Sequence, residues 1–347
     1  MTTMRAVILP GNKEVQVIDK PRPVPGDGQV LVRMRASAIC RSDMSLYYGG
    51  KPLVGGEAAK TGRIVPGHEP AGDVVEIGPG VRGVMPGDRV AVYLAIGCGH
   101  CRYCLSGYLS LCSEWKCVGF DVDGGNADYM VVPAQNCLKL PDEMSYETGA
   151  LLLDNMGTQY HAQKTLEVSG NDTVAIYGLG PMGSAGVLIA KARGARVIAI
   201  DVLESRLEMA KELGADVTIN SAKENVLEVI SNLTHGEGVD KAIDASGNPS
   251  AQNMALDSVR KMGSVALIGE TSSTTINPSE QMIRKLLKVY GIWIHPIWMY
   301  EEIAQFVLDH KIPVDRYITH RFSIEQAADA FRMFDERITD KAVFVWD

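Results

Sequence analysis

At 347 residues the chain is longer than one hydrophobic core usually supports, so two domains are expected. Its 46% hydrophobic and 22% charged residues are ordinary for a globular protein, and 42 acidic against 34 basic residues leave a net charge of -8. With no dense Lys/Arg run, that balance argues against nucleic acid or an anionic membrane surface as a main partner, and no apolar stretch reaches the roughly 18–20 residues of a membrane helix.

The N-terminal MTTMRAVILPGNKEV lacks the cationic and apolar regions of a secretory signal, so a cytoplasmic location is the expectation. From there to about residue 150 the sequence reads as β-rich. VQVIDKP, QVLVRMRASAI, GDVVEIG, DRVAVYLAI and ADYMVVPAQNCLKL are short β-branched runs, punctuated by turns such as Pro25-Gly26, Pro79-Gly80 and Pro86-Gly87. From about 172 strands (DTVAIYG, ARVIAID, VTIN, VDKAIDA, GSVALIG) alternate with helical segments (PMGSAGVLIAKAR, ESRLEMAKELG, ENVLEVISNLT, PSAQNMALDSV), the pattern of a parallel sheet covered by helices on both faces. Two amphipathic helices and a last strand, KAVFVW, follow residue 295. The expected fold is therefore α/β, a doubly wound parallel-sheet domain beside a β-rich one, with a boundary near 155.

The first candidate chemistry in the β-rich part is a cysteine lobe. Seven cysteines in a chain without a signal peptide fit a disulfide framework poorly, and four of them crowd into fifteen positions. Cys98, Cys101, Cys104 and Cys112 have the spacing C-x2-C-x2-C-x7-C, in which four thiolates complete a closed structural zinc site over about 97–113. Iron–sulfur ligation is the competing reading. Other metal-ligand types stand apart, in Ile39-Cys40-Arg41-Ser42-Asp43, Pro66-Gly67-His68-Glu69-Pro70 and Leu153-Asp154-Asn155. One thiolate, one imidazole and one carboxylate suit a zinc with an open position, although singly each reads as readily as a core or structural residue.

Further along, Gly178-Leu179-Gly180-Pro181-Met182-Gly183 is a G-x-G-x-x-G that follows a strand and opens a helix, the setting that makes this pattern informative for a dinucleotide. Asp201, eighteen residues beyond Gly183, ends the next strand, where a carboxylate accepts from ribose hydroxyls and repels a 2′-phosphate; NAD is favoured over NADP. The plain alternative is Asp201 as a helix N-cap. Arg206 lies near enough to accommodate a 2′-phosphate, but its helical position suits covering the adenine better.

Cys40, Gly67-His68-Glu69, the four-cysteine lobe and the Gly178–Gly183 loop occur in an order and spacing that resemble the zinc-dependent medium-chain alcohol dehydrogenases over essentially the whole chain. The resemblance implies a GroES-like catalytic domain at 1–155 and 295–347 around a Rossmann domain at 156–294. It implies two zinc ions per chain and NAD, a small alcohol or ketone as substrate, and a homodimer or homotetramer. Cys40, His68 and Asp154 are similar to the catalytic-zinc ligands, with Glu69 a further ligand or a carboxylate just behind them. Ser42 occupies the position that binds the substrate hydroxyl and begins its proton relay, and Asp43 the one that orients the His68 imidazole. Thr158, the strand end at Asp244-Ala245-Ser246-Gly247 and Ile268-Gly269 fall where the nicotinamide is held.

An aspartate at 154, seven residues before His161, is similar to the bacterial secondary-alcohol dehydrogenases. Those usually lack the cysteine lobe, so the chain mixes features of two subgroups. The relay histidine of other members is replaced by Ser45. Tyr47, Tyr48, Trp115, Phe120 and Trp298 are the pocket candidates by neighbourhood, with plain core aromatics as the alternative. The expected reaction is hydride transfer between a small secondary alcohol or diol and NAD. A polyol dehydrogenase is the alternative, for which Asp43, Ser45, Glu57 and Asp121 offer polar groups. A non-catalytic NAD(P)-binding relative would lack the Cys40/His68 pair, and a zinc-ribbon nucleic-acid module disagrees with the acidic balance.

Overall fold

The computed structural model describes residues 2–50, 55, 62–270 and 273–347. The chain divides into two compact units, Met1–Asp154 with Pro296–Gln305 and Ile318–Asp347, and Asn155–His295 with Phe306–Tyr317.

The first unit is built on a seven-stranded sheet. Its strands run in the order Ile318–Phe322, Lys341–Val345, Gln29–Ala38, Glu69–Ile77, Arg89–Val92 and Cys137–Lys139, with Tyr129–Pro133 also paired to Gln29–Ala38. Alternation along Gln29–Ala38 turns Val30, Val32 and Met34 to one face, where they pack with Val74, Val90, Val92, Met130 and Val132. This is the expected β-rich domain. Helix Tyr146–Leu151, capped by the Ser145 hydroxyl accepting from the Thr148 N–H, runs into a π-helical turn, Leu152–Met156. Asp154 sits in that wider turn.

The second unit is Rossmann-like: six parallel strands in the order Val217–Asn220, Arg196–Asp201, Thr173–Tyr177, Val239–Asp244, Val259–Leu267 and Lys288–Gly291. The chain winds outward in both directions from Thr173–Tyr177, and the carboxyl ends on either side of that reversal are where such sheets take ligands. Buried Ile198, Ile200, Ile219, Ala242 and Val265 pack against Val226, Ile230, Ala255 and Leu256 from the covering helices. The sequence reading assigns everything after 295 to the first unit, whereas Phe306–Tyr317 belongs to the second. There Phe306 meets the Tyr160 ring edge-on at 5.0 Å, and the Arg193 guanidinium lies 4.7 Å and 5.2 Å from the two ring centroids. Among the described residues no helix is long and apolar enough to cross a membrane.

Candidate metal centres and coenzyme site

Cys98, Cys101, Cys104 and Cys112 all converge, their sulfurs within 4.8 Å of one another and none in a disulfide. Cys98 Sγ and Cys104 Sγ are 3.9 Å apart. Four sulfurs at about 2.3 Å from a tetrahedral zinc would stand about 3.8 Å apart. Backbone N–H groups of Cys98 and Glu114 donate to Cys112 Sγ, and that of Cys104 to Cys101 Sγ, at 3.4–3.5 Å. Such donors stabilise thiolates and fix their direction. Gly97 leaves room for this: a Cβ there would stand 2.5 Å from Cys104 Sγ. The donor set and spacing fit structural zinc.

A second set brings Cys40, His68, Glu69 and Asp154 within 4.8 Å, although they come from the cap of a short 3-10 turn, a loop, a strand start and the π-helical turn. Asp154 Oδ2 lies 3.5 Å from Cys40 Sγ and 3.6 Å from His68 Nε2. Tetrahedral zinc would hold sulfur–oxygen and nitrogen–oxygen ligand pairs about 3.6 and 3.4 Å apart. Burial, reinforced by the charges of Asp154 and Glu69, pushes the Cys40 thiol up. Burial also pushes the Glu69 carboxyl up against the pull of Lys341. On Asp154 it works upward too, but the hydrogen bond and charge of His68 outweigh it and hold that carboxyl at about 2. Crowding a thiol and two carboxyls out of water is unfavourable unless a cation compensates, so this set also fits zinc.

The surroundings orient these groups. Asp43 is fully buried; its Oδ1 accepts from His68 Nδ1 at 3.1 Å and its Oδ2 from the Cys40 N–H at 2.9 Å. The first bond fixes the imidazole tautomer that turns the Nε2 lone pair toward the cluster. Ser42 Oγ lies 3.2 Å from that Nε2, and Ser45 Oγ donates to the Ser42 carbonyl at 2.7 Å. Sequence reasoning missed Lys341, fully buried with its Nζ 2.7 Å from Glu69 Oε1. The available signal was a lysine opening the otherwise apolar strand KAVFV.

Among the pocket candidates, Phe120 is buried against the His68 ring at 5.4 Å. Tyr47 is a buried core aromatic stacked on Phe331 at 5.8 Å, and Tyr48 is exposed and bonded to Asp335. The Trp298 ring stands against Gly107 of the cysteine lobe. Asp121 accepts from the Cys117 N–H at 2.8 Å, and Glu57 lies outside the described residues.

In the second unit Gly178 has φ +86°, and a Cβ on it would lie 2.6 Å from Ser246 Cβ; one on Gly183 would lie 1.9 Å from the Gly178 carbonyl oxygen. Only glycine permits that turn and that approach of helix to strand. Gly180 caps helix Pro181–Ala192, with Pro181 at its first position and Met182 next, so free N–H groups and partial positive charge face the loop. Asp201 receives the Leu179 N–H on Oδ2 at 2.7 Å and those of Val202 and Leu203 on Oδ1 at 2.7 and 3.0 Å. Arg206 lies 3.6 Å from Asp201 Oδ2, and its guanidinium stands beside Gly180 of the glycine loop. Thr158 keeps a buried hydroxyl with no hydrogen-bond partner among the described residues. This glycine-lined loop, with an acid at the next strand end, fits a dinucleotide.

Two family models match the chain: an alcohol dehydrogenase GroES-like domain over residues 26–142 and a zinc-binding dehydrogenase over residues 181–309. An Escherichia coli K12 zinc-type alcohol dehydrogenase-like protein, YphC, is 39% identical, covering 96% of each chain. An L-threonine 3-dehydrogenase of Pyrococcus horikoshii is 36% identical over 95% of this chain and 94% of its own. The crystal structure of a Bacillus subtilis 2R,3R-butanediol dehydrogenase is similar with a TM-score of 0.88 and 26% identity, covering 99% of this chain and 100% of its own.

Proposed function

The chain belongs to the zinc-dependent medium-chain alcohol dehydrogenases, and from that premise we propose that it oxidises a small secondary alcohol or diol with NAD, or runs the reverse reduction. Cys40, His68 and Asp154 would hold a catalytic zinc, with Glu69 beside them, and the four cysteines of the lobe a structural one. The observation that carries this reading is the convergence of Cys40, His68 and Asp154 at ligand spacings. When bound, zinc supplies Lewis acidity that acidifies a substrate hydroxyl, and NAD accepts hydride from the carbinol carbon.

The chain's own groups do the rest. Asp43 holds His68 by Nδ1 and Cys40 by its N–H, so two ligand side chains are oriented by one buried carboxylate. Ser42 Oγ, next to the cluster, receives the substrate proton through a hydrogen bond. Ser45, at the position of the relay histidine of other members, donates to the Ser42 carbonyl and so holds Ser42 in place. Phe120 keeps water off the His68 side. Thr158, Ser246 and Ile268 position the nicotinamide half, and Gly178–Gly183 and Asp201 the rest. Oδ2 of Asp201, with one backbone bond already made, retains acceptor capacity for a ribose hydroxyl and repels a 2′-phosphate.

The names of two relatives support the substrate class: threonine at C3 and 2,3-butanediol are both secondary alcohols. The test pairs metal analysis with NAD reduction over secondary, aromatic and sugar alcohols and vicinal diols. Two zincs per chain and turnover of secondary alcohols or diols are expected. One zinc, or turnover confined to sugar alcohols, would overturn the assignment.

A further inference from the structure

Asp244 ends the strand beside Thr173–Tyr177 and is completely buried, yet it belongs to no metal-ligand cluster among the described residues. Its Oδ1 accepts from the Ser246 N–H at 3.0 Å and the Ser246 hydroxyl at 2.6 Å; its Oδ2 accepts from the Gly247 N–H at 3.2 Å and Gln252 Nε2 at 3.2 Å. The same Gln252 amide, also buried, donates to the Gly269 carbonyl at 3.2 Å. The Asp244 carbonyl in turn accepts from the N–H groups of Ile268 and Gly269, at 2.9 and 3.0 Å. The loops it joins are in backbone contact. A Cβ on Gly269 would lie 2.0 Å from the Gly247 nitrogen, and Ser246 already fills the space beside Gly178. Four donors on one carboxylate, with an amide spanning two loops, exceed what ending a strand requires.

We infer that Asp244 and Gln252 are positioning residues, a brace that sets the loops at Ser246–Gly247 and Ile268–Gly269 at the spacing needed by the nicotinamide half of the coenzyme. This rests on the coenzyme reading above. In that reading the adenosine half is held by Gly178–Gly183 and Asp201, which the braced loops approach through Ser246 beside Gly178, so the brace discriminates between the two halves. Asp244→Asn breaks it selectively. Whichever way its amide turns, its NH2 group faces donors where the carboxylate offered an acceptor. Gln252→Met removes both amide bonds at nearly constant volume and leaves the carboxylate, so it serves if Asp244→Asn folds poorly.

The experiment titrates the zinc-loaded full chain and each variant calorimetrically with NADH and with ADP-ribose, which lacks the nicotinamide. NADH affinity is expected to weaken at least about tenfold while ADP-ribose affinity stays within about twofold, with kcat falling about ten- to a hundredfold from misplacement of the ring. Equal loss for both ligands would reduce the pair to a fold-supporting role and overturn the inference, as would no loss for either. If the unsubstituted chain binds neither NADH nor ADP-ribose, the coenzyme reading itself fails, an outcome distinct from the others.

Discussion

Asp201 does two things that pull in different directions. Its carboxylate ties down three backbone N–H groups at the turn from strand to helix, and in the coenzyme reading proposed above its charge repels a 2′-phosphate. Asp201→Ala would strip the turn of its acceptors, so altered selectivity would be mixed with local disorder. Asp201→Asn retains one acceptor oxygen for Val202 and Leu203, removes the repulsion and frees Arg206, 3.6 Å away, to meet a phosphate. The ratio of kcat/KM for NADP to that for NAD should rise about tenfold or more; an unchanged ratio removes Asp201 from coenzyme choice. Lys341 obeys the opposite logic, since nothing exposed holds it. Paired with Glu69 out of contact with water, it is costly to break: Lys341→Met should lower stability by about 3–5 kcal/mol in denaturant unfolding, and adding Glu69→Gln should restore most of it. Equal losses in the single and double variants would show that the pair is not coupled. The place of Asp201 at the strand end beside the glycine loop was legible in the sequence because it follows a glycine fingerprint at a fixed interval. Lys341 was not, because its partner lies 272 residues away and only the strand pairing brings the two together.

At the scale of elements, legibility follows the strength of local patterning. Runs such as QVLVRMRASAI and DTVAIYG announce strands because β-branched residues recur with turn residues at both ends. Ile318–Phe322, ITHRF, does not: two of its residues are charged or polar ring side chains, and only pairing with Lys341–Val345 makes it a strand. The π-helical turn at Leu152–Met156 has no sequence signature either, yet it carries Asp154. The cysteine lobe lies at the other extreme, written fully in its spacing and poor in core. Leu109 is buried there, while Leu105 and Leu111 are exposed. If it holds the structural zinc proposed above, such a lobe depends on that metal for order. Cys104→Ala should therefore halve the zinc content and make the segment near 97–116 the first site cut in limited proteolysis. Resistance equal to that of the unsubstituted chain would mean that packing alone holds the lobe.

On the scale of the whole molecule, each unit has its own sheet, its own core and its own set of functional residues. The ligand types Cys40, His68, Glu69 and Asp154 lie in the first unit, and the Gly178–Gly183 loop, Asp201 and the Asp244 brace in the second. The sequence carried this division well where composition changes from β runs to strand–helix alternation. It carried it poorly after residue 295, because Phe306 earns its place through Tyr160 and Arg193, contacts that no local pattern encodes. Because the Asp201 and glycine-loop contacts are local to the second unit, coenzyme affinity should survive damage to the first. In Cys40→Ser the hydroxyl is a far weaker zinc ligand than a thiolate, so one zinc per chain should remain and turnover should fall by several orders of magnitude. NADH affinity, measured by fluorescence titration, should stay within about threefold of the unsubstituted chain. If NADH affinity falls with turnover, the Cys40 cluster supports the coenzyme site rather than the chemistry, and its assignment as the catalytic metal centre fails.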